Sequence, residues 1–478
     1  MNKLETTSIF LTPCLIAQVI RMDISPHIFR AYDIRGIYQK DISPELFYKI
    51  GQAAGTYVKR NLKGSTLTVG GDIRRSSPPL VHSFISGVSS TGVEVQYTGI
   101  CSFGQALFAG WKANDDLIAF ITASHLPAEW NGIKFYFGDG VGLPPEDLET
   151  IRDYILNADF ETVEWKIVGA VHSIDIKKKY EEFFKEKFSF AKKIKVAVDC
   201  GGASMTLSAP DVFRSVGLEV VPVFCEPDPL FSNRPSEPKA HNLGVLIDAV
   251  KKNSCDFGVA FDGDGDRGVI VDNTGRVLTP DVTGIVLGKY GIDEKQGTAI
   301  VNVEVSKAVK EQLEPLGYHI KQIRVGHTFL TLEGKKEQAK IGIESSGHVI
   351  LPEYFYFDDA IVIPLKMAEV LDRSRRKLSE LVDEVPTYPM TREEIECPDD
   401  IKSDVIDHIT QEFTKEYDET STLDGIRVTL DEGWVLIRQS NTSPIIRLTA
   451  EADDIQSLDR ITADFKGKLE KIISEKKN

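Results

Sequence analysis

Three times before residue 385 a short apolar run breaks into a loop of Gly, Ser, Asp, Glu or His, at 122–127, 262–267 and 344–348. Runs of 4–8 residues rich in Val and Ile and closed by turn formers fit buried strands. This pattern predicts strands over 65–70, 117–122, 193–199, 218–223, 257–261, 268–271, 298–303 and 340–344. Helical patterns lie between them. One opens at Ser43-Pro44, with a Ser cap and Pro in the first turn; others cover 145–156, 177–188, 242–252, 306–313 and 359–371. Such alternation predicts an α/β fold in which one βα unit recurs three times. Ligands of open α/β sheets bind beyond the carboxyl ends of strands, so the three polar loops are where chemistry is expected.

After Pro389 the character changes. A charged stretch over 392–402 leads into a helix, two or three strands and an amphipathic helix from Asp454, which reads as a smaller α+β domain. With 56 Lys and Arg against 72 Asp and Glu, the net charge of −16 argues against nucleic acid as a partner. A small phosphorylated substrate needs only a local cluster of cations. No apolar run reaches the ~18 residues of a membrane span. The nearest, 9–20, is interrupted by Thr12, Pro13 and Gln18 and lacks a basic segment beyond Lys3. Residues 1–21 are therefore expected to be an extension, or a mis-assigned start, before Met22. Six cysteines without a CxxC pair fit reduced, mostly buried thiols of a cytoplasmic protein.

The sharpest motif is Asp262-Gly263-Asp264-Gly265-Asp266-Arg267. Alternating glycines let the backbone turn tightly, so three carboxylates can converge on one point. Converged carboxylates repel unless a hard cation sits among them, and oxygen-only ligands favour Mg²⁺. An EF-hand starting at Asp262 fails, because Arg267 and Asn273 stand where Gly and Glu are required. An aspartyl-phosphate phosphatase would use Asp262 and Asp264, but Asp266 stands where Thr or Val follows in that pattern.

The loop Thr122-Ala123-Ser124-His125-Leu126-Pro127, with Lys134 ten residues after Ser124, has no serine-hydrolase elbow. Beside a Mg²⁺ loop, Ser124 could instead carry a phosphoryl group. Arg438-Gln439-Ser440-Asn441-Thr442-Ser443-Pro444, followed by Arg447, offers guanidinium, hydroxyl, amide and N–H groups suited to an oxyanion. The carboxylate in Glu344-Ser345-Ser346-Gly347-His348 can accept from vicinal sugar hydroxyls. Arg35 precedes a glycine in Phe29–Gly36 order FRAYDIRG, and 71–77 (GDIRRSS) forms a second Arg/Ser turn that could meet phosphate or cap a helix.

Taken in order, FRAYDIRG, TASHLP, FDGDGDR, ESSGH and RQSNTSP resemble the α-D-phosphohexomutase superfamily, in particular its phosphomannomutase/phosphoglucomutase branch. The resemblance runs from about His27 to the C-terminus. It implies three related α/β domains and a smaller C-terminal α+β domain around a central cleft. The expected boundaries are 22–172, 173–276, 277–387 and 388–478, with 1–21 as the extension. It further implies that Ser124 is the phosphoryl donor and that Asp262, Asp264 and Asp266 hold Mg²⁺ together with the phosphoserine. Arg35, His125, Lys134 and Arg267 would surround the transferring group. His327, Glu344, Ser346 and His348 would contact the sugar. Arg438, Ser440, Asn441, Thr442 and Arg447 would hold the non-reacting phosphate. The implied activity interconverts hexose 1- and 6-phosphates through a hexose 1,6-bisphosphate. Phosphoglucosamine mutase, or a non-catalytic sugar-phosphate-binding relative, is the alternative. Lys134 and His125 are both candidates for the general base, and a monomer or homodimer is expected. Three positions depart from the pattern. Leu126 stands where Asn is usual, the 71–77 turn is altered, and Glu304 aligns with a Lys that contacts phosphate in some relatives, leaving Lys307 as the nearby cation that could replace it.

Overall fold

The structure, a computed structural model, describes residues 24–440 and 444–477. The extension over 1–21, Cys14, Asn441 and Thr442 lie outside the described residues. The first helix shows how the predicted start signals work. Over Pro44–Tyr57, Pro44 sits in the first turn and Ser43 Oγ accepts the Leu46 N–H at 3.3 Å. Its apolar face (Leu46, Phe47, Ile50, Ala54) is buried and packs against the helix Ser77–Ser89.

Three sheets share one plan. The first orders its strands Asp33–Ile37, Trp130–Phe137, Leu117–Ile121, Thr66–Gly71, Glu94–Ile100 and Val171–Ser173. The second runs Gly268–Asp272, Phe257–Phe261, Lys195–Asp199, Glu219–Val223. The third runs Tyr318–Ile323, Gly297–Asn302, Ile341–Ile343, Val349–Ile350. In each, a central strand has two parallel neighbours reached through helices, and a last strand returns antiparallel. The three polar loops therefore feed return strands, not the helices a simple βα repeat would place there. Segments 122–129, 262–267 and 344–348 are too short for a parallel crossover, which needs about a dozen residues.

The C-terminal sheet is antiparallel, ordered Met390–Glu396, Ile445–Ala452, Gly433–Gln439, Ile426–Leu430, Thr420–Ser421, and packs against the helices Asp399–Glu416 and Ile455–Lys477. A continuous core containing Phe108, Tyr180, Phe184, Phe261, Ile285 and Phe355 joins the first three units. The fourth has its own core around Val405, Phe413, Val435, Leu448 and Phe465, and meets the third through a small seam of Val303, Trp434 and Leu436. Cys101, Cys200, Cys255 and Cys397 are buried thiols and Cys225 is half-buried. Among the described residues no helix is long and apolar enough to cross a membrane.

Candidate active site

Ser124 lies at the carboxyl end of the strand Leu117–Ile121 with φ +49°, a left-handed conformation that residues with a side chain seldom adopt. Its neighbours hold it there. Thr122 Oγ1 accepts its N–H at 2.8 Å, and its carbonyl accepts from Arg74 Nη2 at 2.7 Å. Arg74 is fully buried and also binds the carbonyls of Leu126 (2.7 Å), Trp130 (3.3 Å) and Pro127, while Asp72 accepts from its Nε at 2.9 Å. The altered 71–77 turn is thus a clamp on the serine loop, while Arg75 is exposed. Ser236, from the second unit, donates to the carbonyls of His125 (2.6 Å) and Leu126 (2.9 Å). Leu126 itself faces the cleft.

The acidic loop follows the buried strand Phe257–Phe261 and meets Ser124 directly. Ser124 Oγ donates to Asp262 Oδ2 at 2.9 Å and accepts from Arg267 Nη2 at 3.0 Å. Oxygens of Asp262, Asp264 and Asp266 lie within 4.8 Å of one another. Lys134 Nζ donates to Asp264 at 3.0 Å and also to Asp266. Burial and the two neighbouring carboxylates push Asp262 up to about 8. Burial also opposes charge on Asp266, but Lys134, His348 and Arg267 prevail and hold it well below the usual carboxylate range. Asp264 Oδ1 and Asp266 Oδ1 are buried without a hydrogen-bond partner. Three converging carboxylates with unsatisfied oxygens fit a hard divalent cation such as Mg²⁺.

The other predicted residues fall into two groups. Arg35 pairs with Asp33 at 2.6 Å, and His125 Nδ1 lies 3.4 Å from Ser124 Oγ. Burial, Arg267 and Arg35 drive the His125 pKa down, so it is neutral. Lys134 stays protonated: burial disfavours its charge, but Asp264 and Asp266 outweigh that and raise its pKa. Further along, the rings of His327 and His348 stack at 5.2 Å, and His348 Nδ1 lies 2.5 Å from Asp358 Oδ2. Burial opposes charge on His348, yet Asp266 and Asp358 raise its pKa to about 9. Burial brings His327 down to about 3. Glu344 Oε1 accepts the Gly326 N–H at 2.9 Å, and burial raises its pKa. Ser346 is exposed at the loop tip, whereas Ser345 is buried and donates to Glu304 at 3.1 Å.

A cavity of about 500 Å³ connects the serine loop to the C-terminal domain, lined by Arg30, Tyr32, Arg35, His125, Arg438 and Arg447 among others. Arg438 and Arg447 face each other across adjacent antiparallel strands. Ser440 is buried, and its carbonyl accepts from Lys402 at 2.7 Å. Lys307, the cation expected to compensate for Glu304, is engaged elsewhere. Its amine pairs with Asp453 and sits 4.2 Å over the Tyr388 ring, in the seam between units. Sequence reasoning missed Ser236 and Asp358, and it read the turn holding Arg74 as a phosphate contact or helix cap rather than as a clamp on the serine loop. An Asp-Asp doublet at 358–359 was the visible signal for Asp358; nothing local marks Ser236.

The chain matches, in order, the four phosphoglucomutase/phosphomannomutase families: α/β/α domain I over residues 26–162, domain II over 178–275, domain III over 279–388 and the C-terminal domain over 395–468. The phosphomannomutase/phosphoglucomutase of Pseudomonas aeruginosa is 32% identical over 452 residues, 94% of this chain and 96% of that protein. A protein of Methanopyrus kandleri described as a probable phosphoglucosamine mutase is 32% identical over 451 residues, 94% of this chain and 98% of its own. The crystal structure of a phosphoglucomutase/phosphomannomutase family protein from Burkholderia thailandensis superposes with a TM-score of 0.86 at 28% identity, covering 94% of this chain and 98% of that one. With Ser124 bonded to the acidic loop, His125 and Arg438 lining one cavity, and all four domains matched in sequence, the chain belongs to the phosphoglucomutase/phosphomannomutase family, that of the phosphohexomutases.

Proposed function

We propose that this protein is a Mg²⁺-dependent phosphohexomutase that interconverts the 1- and 6-phosphates of mannose and glucose through a phosphorylated Ser124 and a hexose 1,6-bisphosphate. The observation that carries this reading is the contact of Ser124 Oγ with Asp262 at 2.9 Å, inside a buried cluster of three carboxylates. Asp262, Asp264 and Asp266 would hold the cation, which supplies electrophilic stabilisation of phosphoryl oxygens. Phosphoserine-124 passes its phosphoryl group to the free hydroxyl of a hexose monophosphate, the P–Oγ bond breaking as the new P–O bond forms. Arg267, 3.0 Å from Oγ, and the cationic Lys134 balance charge on the moving group. His125 is neutral and can accept a proton; Lys134 can do so only after its carboxylate partners release it. The bisphosphate then turns over, so that Arg438 and Arg447 receive whichever phosphate is not reacting.

Glucosamine phosphate is the competing substrate, supported by relatives of equal identity that bear that description. A ³¹P NMR time course with mannose, glucose and glucosamine 1-phosphates, primed with glucose 1,6-bisphosphate, tests both. Growth of a 6-phosphate signal is expected, with relative rates naming the sugar. Release of inorganic phosphate alone would make the protein a phosphatase. Ser124→Ala is expected to abolish turnover and to prevent the mass gain of one phosphoryl group after incubation with the bisphosphate. Full residual activity would reject the phosphoserine.

A further inference from the structure

A buried carboxylate is an unusual neighbour for a phosphate cradle, yet Glu304 lies directly behind Arg438. Glu304 Oε1 accepts from Arg438 Nε at 2.8 Å, and Oε2 accepts from Ser345 Oγ at 3.1 Å. Asn302 completes the support, donating from Nδ2 to Ser345 Oγ at 3.3 Å and accepting the Glu304 N–H at 3.3 Å. The seam of Val303, Trp434 and Leu436 fixes the two backbones against each other. Among the described residues, the cavity wall includes Arg438 and Arg447 but not Glu304. The bond to Glu304 uses the Nε edge of the guanidinium. The two Nη groups form the other edge, suited to bidentate binding of an anion. Burial opposes charge on Glu304, but Arg438 and Arg392 prevail and hold its pKa below the usual range, so it is ionised.

We propose that Glu304 is a positioning residue: it holds the Arg438 guanidinium in the orientation that receives the substrate's non-reacting phosphate. This role rests on the phosphohexomutase reading of the cleft. It makes position 304 act through another side chain rather than by touching the phosphate itself. A carboxylate touching the phosphate would repel it, so neutralising it would tighten binding. A carboxylate acting through Arg438 has the opposite sign.

The test is a double-mutant cycle with Glu304→Gln, Arg438→Ala and the pair, read by calorimetric binding of glucose 1-phosphate and, in parallel, glucosamine 1-phosphate to the Mg²⁺-loaded protein and by KM and kcat separately. Glu304→Gln is expected to weaken binding and raise KM about tenfold, equivalent to ~1.4 kcal/mol, with kcat within about twofold. Glu304→Asp, which keeps the charge, is expected to recover part of the affinity. In the Arg438→Ala background, Glu304→Gln is expected to change nothing further. Tighter binding by Glu304→Gln, or an equal loss with Arg438 absent, would overturn the proposal. So would a loss confined to glucosamine 1-phosphate, which would make the carboxylate a direct reader of an ammonium group. If the wild type binds glucose 1-phosphate without turnover, the functional reading fails while the binding cycle still decides the role of Glu304. Absence of binding by the wild type would overturn both.

Discussion

Arg74 shows how far a side chain's role can lie from its appearance in sequence. In an Arg/Ser turn it looks like a phosphate ligand, yet its guanidinium is buried and holds three carbonyls of the serine loop and that of Trp130, where the return strand begins. Its charge is matched by Asp72, which also accepts from Thr122 Oγ1 at 2.8 Å. Arg74→Met removes the cation and leaves Asp72 buried without its partner, a change that destabilises by roughly 3–5 kcal/mol. Urea denaturation is expected to show that loss together with reduced turnover. A midpoint unchanged from wild type would mean that the serine loop holds its shape unaided. Leu126 is a different case: it lines the cavity, and the loop keeps its form through Arg74 and Ser236.

At the scale of elements, the candidate site residues sit at strand ends, and close backbone approach sets which residue types are allowed. A Cβ on Gly263 would sit 2.2 Å from the Ser124 carbonyl oxygen. This glycine serves contact between two loops and does not supply an unusual backbone angle. Gly263→Ala is therefore expected to push the acidic loop off the serine loop. Strain of this kind destabilises by about 1–3 kcal/mol. The check is a Mg²⁺ titration of activity alongside a thermal melt; wild-type values in both would show that the loops do not need this approach. The predicted strands and helices occur near their expected places because apolar runs, caps and turn residues are local signals. The return strands were harder to read as returns. Their direction depends on hydrogen bonding to a neighbouring strand, and Val349–Ile350 is only two residues long.

Across the whole molecule, Asp359 ties units together. It accepts from the Tyr180 hydroxyl at 2.6 Å and lies against Gly104 of the first unit, where an added Cβ would meet its carboxylate at 2.0 Å. Burial raises its pKa from 3.8 to about 7. The folded state therefore holds a proton that the unfolded chain gives up at lower pH. The stability contributed by the protonated carboxyl is fully present below the unfolded pKa and is lost as pH rises through about 7. Asp359→Asn, which cannot ionise, is expected to flatten the fall in melting temperature between about pH 4 and pH 8 relative to wild type. Equal slopes would show that the group does not govern cohesion of the units. The sequence by itself determined the inventory and its order: a serine loop, three carboxylates spaced by glycines, a Glu-Ser-Ser-Gly-His loop and an arginine–hydroxyl loop. Those are local patterns, written within a few residues. Only the tertiary structure decided which of them meet. Ser124 reaches Asp262 across 138 positions and Arg438 reaches Glu304 across 134, and neither contact has a local signature. Protonation was decided there too, because it follows from burial and from charges brought close by packing, as His348 shows beside Asp266 and Asp358.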